Sequence, residues 1–546
     1  MSRLVVGGVV GLALAISFLV QHAPSPPDHV SIALQTAASP GAISPLIYGI
    51  VGDRGQLQAT GARLNRWGGN PNSRYNWVQG SAWNAARDWE FRNYGQLAAG
   101  ASSAADDFVE TNRSLGAQSM LTIPAIGWVA RNADTETRSV DVPRGGGPPL
   151  ANDPEAIAGY DPAQNRARTS VRSVARKDAP FDDPPDASAE VVYQDEWVNH
   201  LVNRFGTASS GGVGFYVIDN EPDLWSITHS DVHPVEPGYD DMLTTYLTYA
   251  EAIKAVDPTT AVMGPALSGW TALLYSARDR GSDNFRTHLD RRAHGDMPFL
   301  AWWLDQVRQH DEQVGHRTLD VLDVHFYPQA PGVFAGSTDE GTAPLRLRST
   351  RSLWDGAYTD ESWIRQPVQL VPRMRALIDR FYPGTRLGIG EWNWGADQTM
   401  NGALAIADVL GIYGREGVYL AAYWTSPPPG SPGAFAFAMY TNYDGLGHGF
   451  GDQSLAASSD HPDAVSAFGS RDTATGDLLL LLANQRDDAD ISATLLVDGL
   501  APTGQVQVFR YGAADPAAIR QVATELDGGE IVLPRTSLTL VRLSRR

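Results

Sequence analysis

No cysteine occurs among the 546 residues. Disulfides, thiolate metal sites and cysteine nucleophiles are therefore excluded, and the redox compartment is left open. Lysine is nearly absent too: Lys177 and Lys254 stand alone, and the other basic residues are arginines. Positive charge is in the minority, 42 Lys and Arg against 62 Asp and Glu, for a net charge of −20. That balance argues against nucleic acid or an anionic membrane as the main partner and suits a neutral one. Beyond the first twenty residues no stretch is long and apolar enough to span a membrane. No Gly-rich phosphate loop follows a strand, because "RGGGPP" lies in a polar segment and precedes no helix.

What is present describes a folded chain. Hydrophobic residues make up 43% and charged residues 19%, ample for a packed interior. The length exceeds one ordinary core, so a large domain plus a smaller one is expected. "MSR" followed by the apolar "LVVGGVVGLALAISFLV" (4–20) fits a signal peptide or signal anchor, with residues 1–28 as leader and linker. "QHAPSPP" offers no clean small-x-small cleavage site, so both outcomes stay open. Either way the body is expected to be exported.

From residue 43 to 448 short apolar runs alternate with loops and helical periodicity. The strand candidates are "LIYGI", "ARLNRWGG", "SMLTIPAIGWV", "GVGFYVIDNEP", "AVMGPAL", "VLDVHFYP", "RLGIGEWNW" and "GVYLAAYW". Eight such units predict an α/β fold, a (β/α)8 barrel, whose chemistry sits at the C-terminal ends of the strands. Residues 449–546 change style to short strands and turns and predict a small antiparallel β-sandwich. Residues 29–42 would add its first strand, so that the barrel is inserted between them. The Pro-, Gly- and Asp-rich stretch 131–190 reads as a solvated loop or as a wall of the cleft.

Two carboxylates end strands. Glu221 closes the fourth pattern, in "GVGFYVIDNEP", and Glu391 closes the seventh, in "RLGIGEWNW". In a closed eight-strand barrel those ends face each other across the mouth. A lone glutamate there could be a structural acid. A facing pair is the minimum equipment for hydrolysing a glycosidic bond, one protonated and one ionised. Asn220, beside Glu221, suits a hydrogen bond to a sugar 2-hydroxyl.

The blocks "NRWGGNPNSRYNW", "LTIPAIGWVA", "DNEPDLW", "DVHFYPQ" and "GEWNWG", with "ISPLIYGI" and "LWDGAYTDESWI", resemble glycoside hydrolase family 44. The resemblance covers about residues 43–450 in scattered blocks. It implies a secreted, retaining endo-β-1,4-glucanase or xyloglucanase built from a barrel and a sandwich, with Glu221 as acid/base and Glu391 as nucleophile. Two departures stand out: Val51 where the family usually has Asn, and a longer 131–190 loop. A barrel hydrolase of xylan, mannan or arabinoside would carry the same acids. A non-catalytic carbohydrate-binding protein would not need both.

Further candidates follow from position. Arg66 and Trp67 end "ARLNRWGG" at the same barrel face and are both candidates to touch sugar; Arg66 could instead orient a carboxylate or form a structural ion pair. His325 and Tyr327 fall on one side of the sixth strand, with Phe326 on the other; Tyr327 could donate to Glu391. Trp128, Trp225, Trp354, Trp392 and Trp424, at strand ends or in loops, are expected to offer apolar faces to sugar rings. No cofactor is required by this chemistry. The resemblance allows a structural calcium, for which "DDPPD" and "NYDG" supply oxygens without the spacing of a calcium loop. The expected partner is a polysaccharide, with no nucleic acid, no membrane beyond the possible N-terminal anchor, and a monomeric chain.

Overall fold

The barrel strands are near-continuous apolar runs, the pattern of a parallel sheet covered on both faces. They are β1 Gly49–Ile50, β2 Leu64–Trp67, β3 Gln118–Ile123, β4 Phe215–Ile218, β5 Ala261–Leu267, β6 Val321–Phe326, β7 Arg386–Trp392 and β8 Leu420–Tyr423. All neighbouring pairs are parallel and β8 closes on β1, giving a barrel in chain order. This computed structural model describes residues 28–37, 41–89, 91–96, 100–135, 160–161, 166–167, 169–498, 505–523 and 529–544. The expected leader and most of the stretch 136–168 lie outside the described residues. No helix among the described residues is long and apolar enough to cross a membrane.

The barrel interior is packed, not hollow. Leu64, Met120, Phe215, Val217, Met263, Val321 and Leu420 fill it as one apolar cluster. Polar side chains sit above that floor, at the C-terminal ends: Arg66, Asp323, His325 and Glu391, all buried.

The second domain is a folded sheet around its own core, which includes Val30, Ile32, Leu480, Leu482, Ile531 and Val541. His29–Gln35 lies inside this sheet. It pairs antiparallel with Gln453–Ser459 and parallel with Ile491–Val497, so one parallel pair interrupts an otherwise antiparallel domain.

Helix Met400–Glu416 joins the two domains. Thr399 caps its start, Gly417 ends it in the left-handed region, and Gly402 to Gly414 are all buried. A helix apolar all round must be covered all round. It has barrel on one side and sandwich on the other. The sandwich comes close at Gly411, where a Cβ would meet the Phe468 ring at 2.4 Å.

Candidate active site

The chain turns sharply after β4. Asp219 and Glu221 both hold left-handed backbone, φ 58° and 44°, which is uncommon outside glycine and concentrates at functional sites. The turn is fixed from several sides. Asp219 accepts the amides of Ala125 and Ile126 at 2.5 and 2.8 Å, and the Glu221 amide donates to the Ala266 carbonyl at 3.0 Å. The Trp225 indole donates to the Asn220 carbonyl at 3.2 Å.

Glu221 and Glu391 come together at the mouth. A carboxylate oxygen of each, with a ring nitrogen of His325, falls within 4.8 Å of the others. His325 Nδ1 lies 2.9 Å from Glu221 Oε1 and 3.4 Å from Glu391 Oε2. Arg66 Nη1 donates to Glu391 Oε1 at 2.5 Å, and the Tyr327 hydroxyl donates to Oε2 at 2.8 Å. Arg66 Nη2 also donates to Asn220 Oδ1 at 2.8 Å, which orients that amide.

These contacts push the two acids apart. Burial raises Glu221, and the nearby Glu391 charge adds to the rise, while the His325 hydrogen bond opposes it; the net direction is up. Burial also acts to raise Glu391, but His325, Arg66 and the Tyr327 hydrogen bond outweigh it, so Glu391 sits below the usual carboxylate value. Burial works against a charge on His325. The two carboxylates prevail, and its net direction is up.

Trp424 borders the mouth, half-buried, with the Arg66 guanidinium 5.8 Å from its ring centroid. Gly69 allows this: its φ is +87° and a Cβ there would meet the Trp424 ring at 2.2 Å. Trp128 is half-buried on a small sheet formed by Trp128–Ala130, Ser170–Val174 and Val191–Tyr193. The described part of 131–190 is thus more than a solvated loop. A buried Arg74 ties it to the barrel, donating to Ser170 Oγ and to both oxygens of Asp231.

Four tryptophans expected to face sugar do not. Trp392 is fully buried and packs on Tyr413, Tyr423 and Phe437 in the helix layer. Neighbours on a strand point to opposite faces, so Glu391 inward sends Trp392 outward. Trp67 beside Arg66 obeys the same rule and joins a cluster with Tyr75, Trp83 and Phe108. Trp225 is buried against His233 and supports the Asn220 turn. Trp354 lines a cavity of about 440 Å³ between barrel helices and sandwich, under the Arg415 guanidinium at 4.2 Å. An aromatic the sequence reading passed over, Trp363, is 59% exposed and donates to Gln329 Oε1 at 3.2 Å. It borders a cavity of about 210 Å³ shared with Asp223 and Leu224, next to the Glu221 turn. Its polar setting in "YTDESWI", without strand or helix period, was the available signal.

The calcium candidates are occupied internally. Asp182 pairs with Lys177 at 2.6 Å, Asp186 accepts from Ser188, and Asp444 pairs with His448. Among the described residues only Glu221, His325 and Glu391 converge as three carboxylate or imidazole groups. The Arg66 charge against Glu391 does not suit a cation there. Asp182, Asp186 and Asp444 are thus engaged within the chain, and no cluster of three carboxylate or imidazole groups forms around them among the described residues.

Facing, oppositely tuned glutamates on a (β/α)8 barrel mark the class of retaining or inverting glycoside hydrolases. Residues 82–330 match the profile of glycoside hydrolase family 44. Endoglucanase A of Paenibacillus lautus is 33% identical over 517 residues, 90% of this chain and 69% of that protein. CelM2, a bifunctional glucanase-xylanase from a metagenome library, is 36% identical with a TM-score of 0.84, covering 96% of this chain and 100% of that one. A Paenibacillus polymyxa xyloglucanase solved with xyloglucan is 29% identical with a TM-score of 0.80, over 95% and 100%. The chain belongs to glycoside hydrolase family 44.

Proposed function

We propose that this glycoside hydrolase is an exported, endo-acting enzyme that cleaves β-1,4-glucan chains, xyloglucan and soluble cellulose, with retention of configuration. The observation that carries this reading is the pair Glu221 and Glu391, with oxygens within 4.8 Å and opposed electrostatic settings. Retaining enzymes hold their carboxyls about 5–5.5 Å apart, and inverting ones about 6.5–9.5 Å to admit a water between them.

In the first step a Glu391 oxygen attacks the anomeric carbon. The bond to the leaving sugar's oxygen breaks, and that oxygen takes the Glu221 proton. In the second step water attacks the same carbon from the vacated side and gives its proton to Glu221, and the bond to Glu391 breaks. Two inversions leave the β configuration unchanged. Arg66 and Tyr327 keep Glu391 ionised and aimed before attack, and both bonds must weaken as its charge passes to the sugar. Asn220, held by Arg66, is placed beside Glu221 for the 2-hydroxyl, a contact that strengthens in the transition state.

The substrate assignment draws on the relatives named as endoglucanase and xyloglucanase. Xylan is the second reading, because CelM2 is named a glucanase-xylanase. Export draws on the apolar segment at 4–20. Proton NMR of fresh digests of xyloglucan, carboxymethylcellulose, xylan and mannan tests substrate and stereochemistry together. The β-anomer is expected first, from the two glucans. An α-anomer as first product would overturn retention, and turnover of mannan or xylan alone would overturn the substrate.

A further inference from the structure

Strand β7 does not alternate evenly. On one side Val324 pairs with Ile389, and the next residue, His325, pairs with Glu391. On the other side Ala421 pairs with Ile389, and Tyr423, two residues on, pairs with Trp392, three residues on. Both neighbours therefore skip one residue of β7. Before the skip, Leu387 and Ile389 pack outward in the helix-facing core. Gly388 faces inward, where a Cβ would meet Val321 and Leu420 side chains at 3.0 Å. Unbroken alternation would then point Gly390 inward and Glu391 outward, into the helix layer. Instead Gly390 and Glu391 both face the interior and Trp392 faces out. This is a β-bulge at Gly390, of the kind that re-aims side chains beside active sites.

Asp323 grips the bulge. It is two residues before His325 on β6, on the same inward side, and fully buried. Its Oδ1 accepts the Gly390 amide at 2.7 Å, while Oδ2 has no protein partner. The carboxyl lies so close that a Cβ on Gly390 would fall 2.4–2.8 Å from its three atoms. Only glycine fits over it. Burial pushes Asp323 up to about 6, against the pull of His325 and Arg66. With no accessible surface it cannot touch substrate.

We infer that Asp323 and Gly390 form the positioning device that turns Glu391 from the helix layer into the mouth: Asp323 acts on the reaction through the backbone of the residue before the nucleophile. The inference rests on Glu391 being the nucleophile, so the test separates the two. The full chain, wild type and variants, is treated with a 2-deoxy-2-fluoro-cellobioside bearing an activated leaving group. The labelled peptide and the labelling rate are measured, with kcat, KM and thermal unfolding alongside.

Asp323→Ala should slow labelling and kcat about 100-fold, the cost of roughly 1 Å of misplacement, with KM within about twofold. Asp323→Asn keeps an acceptor for the Gly390 amide and should recover at least about tenfold of that loss. Gly390→Ala should match Asp323→Ala, and it carries the test if Asp323→Ala does not fold. Wild-type labelling rates in folded Asp323→Ala or Gly390→Ala would overturn the positioning role, as would equal losses in Asp323→Asn and Asp323→Ala. A label on a residue other than Glu391 in the wild type would instead overturn the nucleophile reading.

Discussion

The ends of β4 and β7 each present one glutamate to the same small space, yet they solve different problems. Glu391 is surrounded by donors. Arg66, Tyr327 and His325 all lie within 3.4 Å of its oxygens. Glu221 has one such side-chain partner, His325, and is otherwise left to burial and to the repulsion of Glu391. Chemically identical side chains thus acquire opposite tendencies from the charges and donors set around them. The better-solvated donor set favours a ready anion, and the poorer one favours a carboxylic acid. The backbones differ as well. Glu221 is aimed by a left-handed turn past its strand, and Glu391 by a bulge within its strand.

The contrast can be broken from either end. Glu391→Gln replaces the attacking carboxylate with a neutral amide and should lower kcat by roughly 10⁴-fold or more. Azide should restore turnover to the smaller Glu391→Ala by attacking from the side the carboxylate vacated, a single inversion that gives an α-glycosyl azide; no rescue, or a β-glycosyl azide, would count against the nucleophile role. Glu221→Gln should cost about 10²–10⁴-fold on natural glucan. The loss should shrink on aryl glycosides whose leaving group needs no proton, and an equal loss on both substrates would contradict the acid role.

Smaller changes sharpen the contrast through pH. In the proposed mechanism activity needs Glu391 ionised, which sets the acid limb at its depressed pKa. It needs Glu221 protonated, which sets the alkaline limb at its raised pKa. Tyr327→Phe removes a donor that favours the ionised Glu391, so the Glu391 pKa rises and the acid limb of kcat/KM moves to higher pH. The alkaline limb should barely move, and the loss at the optimum should be about tenfold, the low end of the ~1.5–3 kcal/mol of one hydrogen bond to a charged group. A shift of the alkaline limb alone would assign Tyr327 to the wrong acid. Smallest in its effect on catalysis is Trp392→Phe, expected to leave KM within about twofold while lowering the melting temperature. Trp392→Ala should destabilise by about 3–5 kcal/mol. A large KM change in Trp392→Phe without destabilisation would return that ring to the cleft.

The strands were legible because each is a short apolar run ended by polar residues, and a barrel strand covered on both faces needs that pattern. His325 and Tyr327 were placed on one face by alternation, and both reach Glu391. The same rule, applied to Arg66–Trp67 and Glu391–Trp392, would have moved both tryptophans out of the mouth. Aromatic richness near an acid was read as one feature when it was two faces of one strand. Other elements needed the three-dimensional structure. Trp354 meets Arg415 from a distant helix end. Nothing in the sequence distinguishes Asp323; its part shows only where the bulge brings Gly390 onto its carboxyl. A bulge becomes visible only when the registers of both neighbouring strands are known.

Retention by the proposed route requires a covalent bond between Glu391 and sugar. Peptide mass mapping after inactivation of the wild-type chain by a 2-deoxy-2-fluoro-cellobioside with an activated leaving group tests it most directly. One adduct is expected, on the peptide containing Glu391, and it should turn over when an acceptor sugar is added. An adduct on Glu221 or on any other residue, or inactivation-free turnover with an α-anomeric product, would contradict it.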